Sequence, residues 1–85
     1  MRRHNPTHPG ESIADAMREA GMSATELAAA LGMERGNLYR LLRGQIAISP
    51  RTAVALEAIG WSNAEFWCRR QALYDLARYR RGFAA

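Results

Sequence analysis

The sequence of 85 residues predicts an all-α fold, a compact five-helix bundle that contains a helix-turn-helix. Apolar residues recur at spacings of three and four, and no segment alternates between polar and apolar residues with a period of two. Glycines follow several of the apolar stretches and serines precede others, which is typical of helix ends and starts. A chain of this length builds one small domain, so we expect short connections between the helices.

The chain divides into three predicted parts. Residues 1–9 contain two prolines and no helical periodicity, so we expect a flexible N-terminal arm in which His4 and His8 are exposed. Residues 10–78 are expected to form the helix-turn-helix domain, which ends in a C-terminal dimerisation helix. Residues 79–85 are expected to form a frayed tail.

The first three helices are predicted between residues 10 and 44. The first helix ends at Gly21. Ser23 then caps a second helix, and Glu26, three residues on, completes a capping box. Gly32 ends the second helix, and a third is expected over about residues 34–43. Two short helices joined by a tight turn with a glycine are typical of a helix-turn-helix.

The last two helices begin at predicted caps. Ser49 precedes Pro50, a residue favoured at the first helical position, and Ser62 with Glu65 forms a second capping-box pattern. The apolar residues expected to pack here are Val54, Leu56 and Ile59 in the fourth helix, and Phe66, Trp67, Leu73, Tyr74 and Ala77 in the fifth.

Positive charge is concentrated in the middle of the chain. The net charge is +4, and every basic residue other than the two histidines is an arginine. Residues 35–56 contain four arginines and no acidic residue. A basic segment on a small domain favours a phosphate-bearing partner, although it is also compatible with a merely solvated surface.

The third predicted helix has two faces of different chemistry. At about 100° per residue, Leu38, Leu41 and Leu42 lie on one side, and Gly36, Arg40 and Arg43 lie on the other. Arginine pairs bidentately with guanine in the major groove, which is the commonest specific base contact. The outward face is therefore predicted to read DNA.

Other polar residues are predicted to contact the DNA backbone. Helix N-termini bind phosphate, which favours Ser23 and Thr25 on the second helix and Ser49 and Arg51 on the fourth, with simple capping or solvation as the alternative. Asn37 is suited either to adenine or to a phosphate. We also expect backbone contacts from Arg43 and Tyr39, although packing on the domain edge is the alternative for Tyr39.

The fifth helix carries more large apolar residues than one small core needs. Phe66, Trp67, Leu73 and Tyr74 are predicted to contribute to a two-fold dimer contact, because a two-fold dimer reads a palindromic site. The alternative is that all four complete the core of the monomer.

Four segments occur in an order that resembles a known family: HPGE at residues 8–11, the helix-turn-helix through LYRLLRG, AISPRTAVALEAIG at 47–60 and EFWCRRQALYDL at 65–76. Together they resemble the HigA-type antitoxins, a branch of the Xre-like helix-turn-helix proteins with a lambda-repressor-like DNA-binding domain. The resemblance covers roughly residues 8–76, and HPGE and the EFW…QALYDL segment are its most specific parts.

The resemblance implies a dimeric antitoxin that represses its own toxin–antitoxin operon by binding a palindromic operator. It also implies a partner toxin, typically a small ribonuclease that cuts messenger RNA on the ribosome. The positions that match the family's base-reading residues are Arg35, Gly36, Asn37 and Arg40. Two positions depart from the pattern: Ala24 stands where the wider superfamily often has glutamine, and Gly36 lacks a side chain.

Other classes of function find little support in the sequence. No nucleophile–base pair or Gly-rich phosphate loop indicates an enzyme, and no spacing of Cys68, His4 and His8 indicates a metal site or another cofactor. Arg2 and Arg3 are not followed by an apolar segment, so we expect a cytoplasmic protein without a membrane partner. The alternatives kept open are a regulator without a toxin and a toxin-binding module with weak DNA binding.

Overall fold

The computed structural model describes residues 7–84, with side chains through residue 82, and this part of the chain forms five α-helices and no β-strand. The helices are α1 (Pro9–Ala20), α2 (Ala24–Leu31), α3 (Arg35–Leu42), α4 (Pro50–Ala58) and α5 (Ala64–Ala84). The predicted all-α fold is therefore confirmed. None of these helices combines the length and the apolar character needed to cross a lipid bilayer.

Local signals set most helix ends where the sequence predicts them. The Ser23 hydroxyl accepts a hydrogen bond from the Glu26 amide at 3.1 Å, and the Glu26 carboxylate accepts one from the Ser23 amide at 2.8 Å. Ser49 caps α4 through the amide of Thr52 at 3.1 Å. Gly32 ends α2 with a positive φ of 67°, a conformation that glycine adopts without steric cost.

Both predicted ends of the domain need correction. The predicted arm over residues 1–9 is wrong at its end, because α1 begins at Pro9 with His8 as its N-cap, and both residues are buried. Residues 1–6 lie outside the described residues. At the other end, α5 continues to Ala84, so the predicted tail over residues 79–85 is helical as far as that residue.

The start of α5 and one face of α4 also differ from the prediction. Asn63, rather than Ser62, caps α5, since its side-chain oxygen accepts a hydrogen bond from the Phe66 amide at 2.8 Å. Ser62 itself has a positive φ of 63°, which suits the turn before the helix and not the cap. Val54 is 57% exposed, and Ala53 takes the buried position on α4.

One apolar core joins all five helices. Its fully buried members include Ile13 of α1, Leu27 of α2, Leu38 of α3 and Leu56 of α4, and Trp67 closes it from α5. The core holds α3 on its inward side, because α1 and α2 both pack against α3. The opposite side of α3 is left facing solvent.

The first turn of α1 lies directly against the last turn of α3. A Cβ atom at Gly10 would overlap the backbone carbonyl oxygen of Leu41, so only glycine allows this approach. The position of the C-terminal end of α3 is therefore set by backbone-to-backbone contact with α1.

Candidate nucleic-acid interface

The third helix presents a polar, mostly basic face to solvent. Its inward residues Leu38 and Leu41 are 0% and 1% exposed, and Leu42 is half-buried. The exposed residues on the other side are Arg35, Gly36, Tyr39, Arg40 and Arg43. The two-faced helix that the spacing predicts is therefore present in the fold.

Hydrogen bonds hold two of these arginines in place. Arg40 donates from Nη1 to the side-chain oxygen of Asn37 at 2.7 Å, one turn earlier on the same helix. Arg35 donates to the hydroxyl of Thr25 at 3.1 Å, which links the starts of α2 and α3. Because these contacts are exposed, both guanidinium groups keep donors available for bases or phosphates.

Gly36 leaves an open space near the N-terminal end of this face. A Cβ atom built there would meet one neighbour within 4 Å, the Nη1 atom of Arg40 at 3.9 Å. No side chain prevents a close approach of the helix backbone to a ligand at this point. The structure thus brings Arg35, Gly36, Asn37 and Arg40 together at the N-terminal half of α3.

Tyr39 and Arg43 form a pair near the other end of the helix. The guanidinium carbon of Arg43 lies 5.7 Å from the centre of the Tyr39 ring, and Tyr39 is 42% exposed. Tyr39 is thus partly accessible on the outward side of α3, and packing on the domain edge remains the alternative. Both residues are exposed on the outward side of α3.

The two helix N-termini that were predicted to bind phosphate differ in their charge. At α2, the hydrogen bonds from Ser23 hold the pKa of Glu26 below its usual range. The negative carboxylate of Glu26 therefore already accepts the hydrogen bond of the Ser23 amide at this helix end. At α4, no acidic residue lies in the first turn, and Arg51 is exposed beside the cap Ser49. The charge distribution therefore favours the start of α4 as a phosphate site.

An open groove connects the start of α4 with α3. It has a volume of about 330 Å³, and Asn37 and Arg51 contribute polar groups to its lining. Ile46 and Met33 are among its apolar residues, and Ile46 is 36% exposed. Ile46 was not predicted from the sequence, because an isolated apolar residue in a loop carries no periodic signal.

The residues predicted for a dimer contact separate into two groups. Trp67 is 4% exposed and its indole N–H donates to the Trp61 carbonyl at 2.6 Å, so it belongs to the core and its assignment to the dimer contact was wrong. Tyr74 is half-buried. Phe66 and Leu73, by contrast, are 39% and 49% exposed.

Two further exposed apolar residues continue the surface of Leu73 along α5. Leu76 and Tyr79 are 44% and 65% exposed, and at 100° per residue Leu76 lies directly opposite Trp67. Neither residue was predicted from the sequence, although Leu76 follows Leu73 by three positions and Tyr79 follows Leu76 by three, which is a helical signal. We call Leu73, Leu76 and Tyr79 the α5 apolar stripe.

The two most specific sequence segments, HPGE and QALYDL, meet in the fold. His8 packs edge-on against the Tyr74 ring, with the ring centres 4.8 Å apart. Gln71 accepts a hydrogen bond from the Ile48 amide at 2.9 Å and donates to Asp75 at 3.1 Å. Both segments thus tie α5 to the rest of the domain.

Comparison with known proteins identifies the family. Residues 13–59 match the helix-turn-helix family. The chain is 42% identical to virulence-associated protein A of Dichelobacter nodosus over 87% of the chain and 74% of that protein. The structure of a HigA-family addiction module antidote protein from Coxiella burnetii shares its fold, with a TM-score of 0.81, 32% identity, and coverage of 88% of this chain and 83% of that one. The chain belongs to the HigA-type antitoxins, in the Xre-like helix-turn-helix family.

A second HigA-type structure contains DNA. Pseudomonas aeruginosa antitoxin HigA with the higBA promoter matches with a TM-score of 0.85 and 32% identity, over 92% of this chain and 86% of that one. The chain thus has the DNA-binding helix-turn-helix fold of antitoxins, and it is not an enzyme. Between residues 7 and 84, no three His, Cys, Asp or Glu side chains are grouped so that they could hold a metal ion.

Proposed function

We propose that the chain is an antitoxin that represses its own toxin–antitoxin operon in the cytoplasm and neutralises a ribonuclease toxin. The observation that carries the proposal is the basic outward face of α3, in a fold shared with an antitoxin that binds its promoter. An arginine-rich helix face that is fixed from behind by a core has the form that major-groove reading requires.

On this proposal the residues on and beside α3 divide into two roles. Arg35, Gly36, Asn37 and Arg40 face the base edges, where Arg40 and Asn37 can exchange their mutual hydrogen bond for guanine and adenine contacts. The residues assigned to phosphates are Ser23, Thr25, Tyr39, Arg43, Ser49 and Arg51. Of these, Arg51 has the most favourable surroundings, because it lies at a helix N-terminus without acidic neighbours in its first turn.

A homodimer is part of the proposal. A two-fold dimer places two reading helices about 34 Å apart, one turn of DNA, and so reads a palindrome. The α5 apolar stripe supplies the contact, together with Phe66, since these residues are exposed in the monomer and lie on one long helix. The proposed toxin contact rests on the family membership alone.

The test is fluorescence anisotropy with DNA from directly upstream of the operon and with a scrambled duplex, at two salt concentrations. We expect tight binding that prefers the upstream DNA and weakens at high salt. Equal, weak binding to both duplexes would contradict the repressor role and favour the toxin-binding module, in which Ala24 and Gly36 have reduced DNA recognition.

The toxin role has a separate test. The open reading frame next to the gene is expressed alone and together with the antitoxin, and cell growth and messenger RNA integrity are measured. We expect arrested growth and cleaved messenger RNA that co-expression prevents. Specific operator binding with no toxic neighbour would instead support a helix-turn-helix regulator without a toxin.

A further inference from the structure

The buried imidazole of His8 stands where three parts of the domain meet. It is 6% exposed and caps α1 by accepting a hydrogen bond from the Gly10 amide on Nδ1 at 2.9 Å. Its ring also packs against Tyr74 of α5 and lies beneath Gly44, where an added Cβ would come within 3.3 Å of the ring. One side chain thus contacts α1, α5 and the loop that follows α3.

The hydrogen bond from the Gly10 amide requires the neutral form of the ring. An amide N–H can only donate, so the Nδ1 atom that accepts from Gly10 carries no proton. The proton of the neutral ring is then on Nε2, so this tautomer can still donate towards the Ile46 backbone. A second proton on Nδ1 would leave two donors facing each other at the start of α1.

The charges around the ring come from two of the three elements. Glu11 on α1 and Asp75 on α5 attract a proton to the ring, and Arg78 on α5 repels it. Tyr74 of α5 is the other titratable group in contact, whereas Gly44 and Ile46 of the loop have no ionisable side chain. Burial lowers the pKa of His8 below 6.5, because it outweighs the Ile46 backbone and the two carboxylates, which raise that pKa.

The loop beside His8 is part of the proposed DNA-binding surface. It begins at Gly44, next to Arg43, and continues through Ile46 to the cap Ser49. Gly10, the amide that His8 binds, is also the residue in backbone contact with the end of α3. A change at His8 therefore reaches both the last turn of the reading helix and the loop beside it.

We propose that His8 is a pH-sensitive positioning residue, whose neutral ring fixes α3 and its following loop for operator binding and whose protonation releases them. This inference rests on the proposed DNA-binding function. It also makes a prediction of unusual sign, because a protein that gains positive charge ordinarily binds DNA more tightly. Here operator affinity falls as the pH is lowered.

The size of the effect follows from the population of the neutral form. If only that form binds, the apparent affinity falls about tenfold for each pH unit below the pKa of His8 in the folded protein. Folding stability changes in the same direction. Since the pKa is lower in the folded than in the unfolded chain, the free energy of unfolding decreases as the pH falls from 6.5 towards the folded-state pKa.

The experiment compares wild type, His8→Asn and His4→Gln by anisotropy on the operator DNA between about pH 7.5 and pH 5, the range in which histidine titrates. Asparagine can cap the Gly10 amide but does not titrate, so His8→Asn should bind at neutral pH and lose the acid-dependent decrease. His4→Gln, which removes the other histidine, should keep it. An identical pH profile for wild type and His8→Asn would overturn the proposal.

Two further measurements separate this inference from other failures. NMR of the free protein follows the His8 ring and the Gly10, Gly44 and Ile46 amides, which should titrate together, and independent titration would contradict the coupling. Far-UV circular dichroism should show unchanged helix content where affinity falls, and parallel loss of helix would overturn a local role. Absence of operator binding by wild type at neutral pH would instead reject the proposed function, while the NMR titration still tests His8.

Discussion

The helices α3 and α5 bury apolar residues in the same way but differ in what they expose. Leu38 and Leu41 of α3 and Trp67 of α5 are inside the same core. The outward side of α3 is formed mainly by arginines, whereas that of α5 carries the apolar stripe of Leu73, Leu76 and Tyr79. The buried sides of both helices hold the domain together. The exposed arginines of α3 suit a polyanion, whereas the exposed apolar side chains of α5 suit a protein surface.

The largest effect is expected where α3 is seated on α1. In Gly10→Ala the added methyl group overlaps the Leu41 carbonyl oxygen, and we expect the free energy of unfolding to fall by about 3 kcal/mol or more. Urea unfolding followed by circular dichroism measures this. The matched control is Gly82→Ala, where an added Cβ meets nothing within 4 Å. Equal stability of the two variants would show that the contact does not restrict residue 10.

The outward face of α5 is tested next, by Leu76→Glu. A carboxylate at the centre of the α5 apolar stripe should raise the dissociation constant of the dimer by about 100-fold or more, since each protomer would bury a charge. Sedimentation at several protein concentrations measures the change. Ala30→Glu adds the same charge at an exposed position of α2 and should leave the dimer intact. A Leu76→Glu variant that dimerises like wild type would remove the stripe from the interface.

The outward face of α3 is tested by Arg40→Ala. Loss of a bidentate base contact should cost about 1–3 kcal/mol of binding free energy at the preferred operator and relax sequence preference. Anisotropy on operator variants measures both effects. Arg18→Ala removes an equal charge from exposed α1, where the arginine pairs with Asp15, and should leave the preference unchanged. Unchanged affinity and preference in Arg40→Ala would show that this is not the reading face.

A smaller and less selective effect is expected at the start of α4. In Arg51→Ala, binding to all sequences should weaken by a similar factor, and the slope of log affinity against log salt should decrease by about 1, as for one lost phosphate contact. Titrations at several salt concentrations on operator and scrambled DNA measure the slope. A loss confined to the operator would reassign Arg51 to base reading.

The smallest effect is expected outside both faces, in the turn before α5. Ser62 has a positive φ of 63°, which costs a residue with a Cβ more than it costs glycine. Ser62→Gly should therefore raise the free energy of unfolding by about 1 kcal/mol. Ser62→Ala keeps the Cβ and should not be more stable than wild type. Thermal unfolding measures the stability of the two variants. An equal gain in stability in both would show that strain at the positive φ does not explain the gain.

Local signals explain why much of the fold was predictable. Each cap and terminating glycine acts within a few residues, so Ser23, Gly32 and Ser49 mark their helices from sequence alone. The two faces of α3 were predictable for a similar reason, because apolar and basic residues separate cleanly at helical spacing. The roles of the outward residues in DNA binding remain predictions.

The predictions are wrong where a distant part of the chain determines whether a residue is buried. His8 is buried by Tyr74, which comes from the other end of the sequence, and no local pattern indicates that contact. On α5, apolar residues occupy both sides of the helix, so spacing alone does not distinguish the inward Trp67 from the outward Leu76. The packing of the other helices makes that choice.

The open space at Gly36 has a consequence for how such proteins diverge. A side chain can be added there without disturbing the core, because the position is exposed and surrounded by free volume. Replacement of glycine within a helix also adds backbone stability rather than consuming it. If position 36 reads bases as proposed, one codon change there would give a duplicated copy a different operator preference while its fold is unchanged.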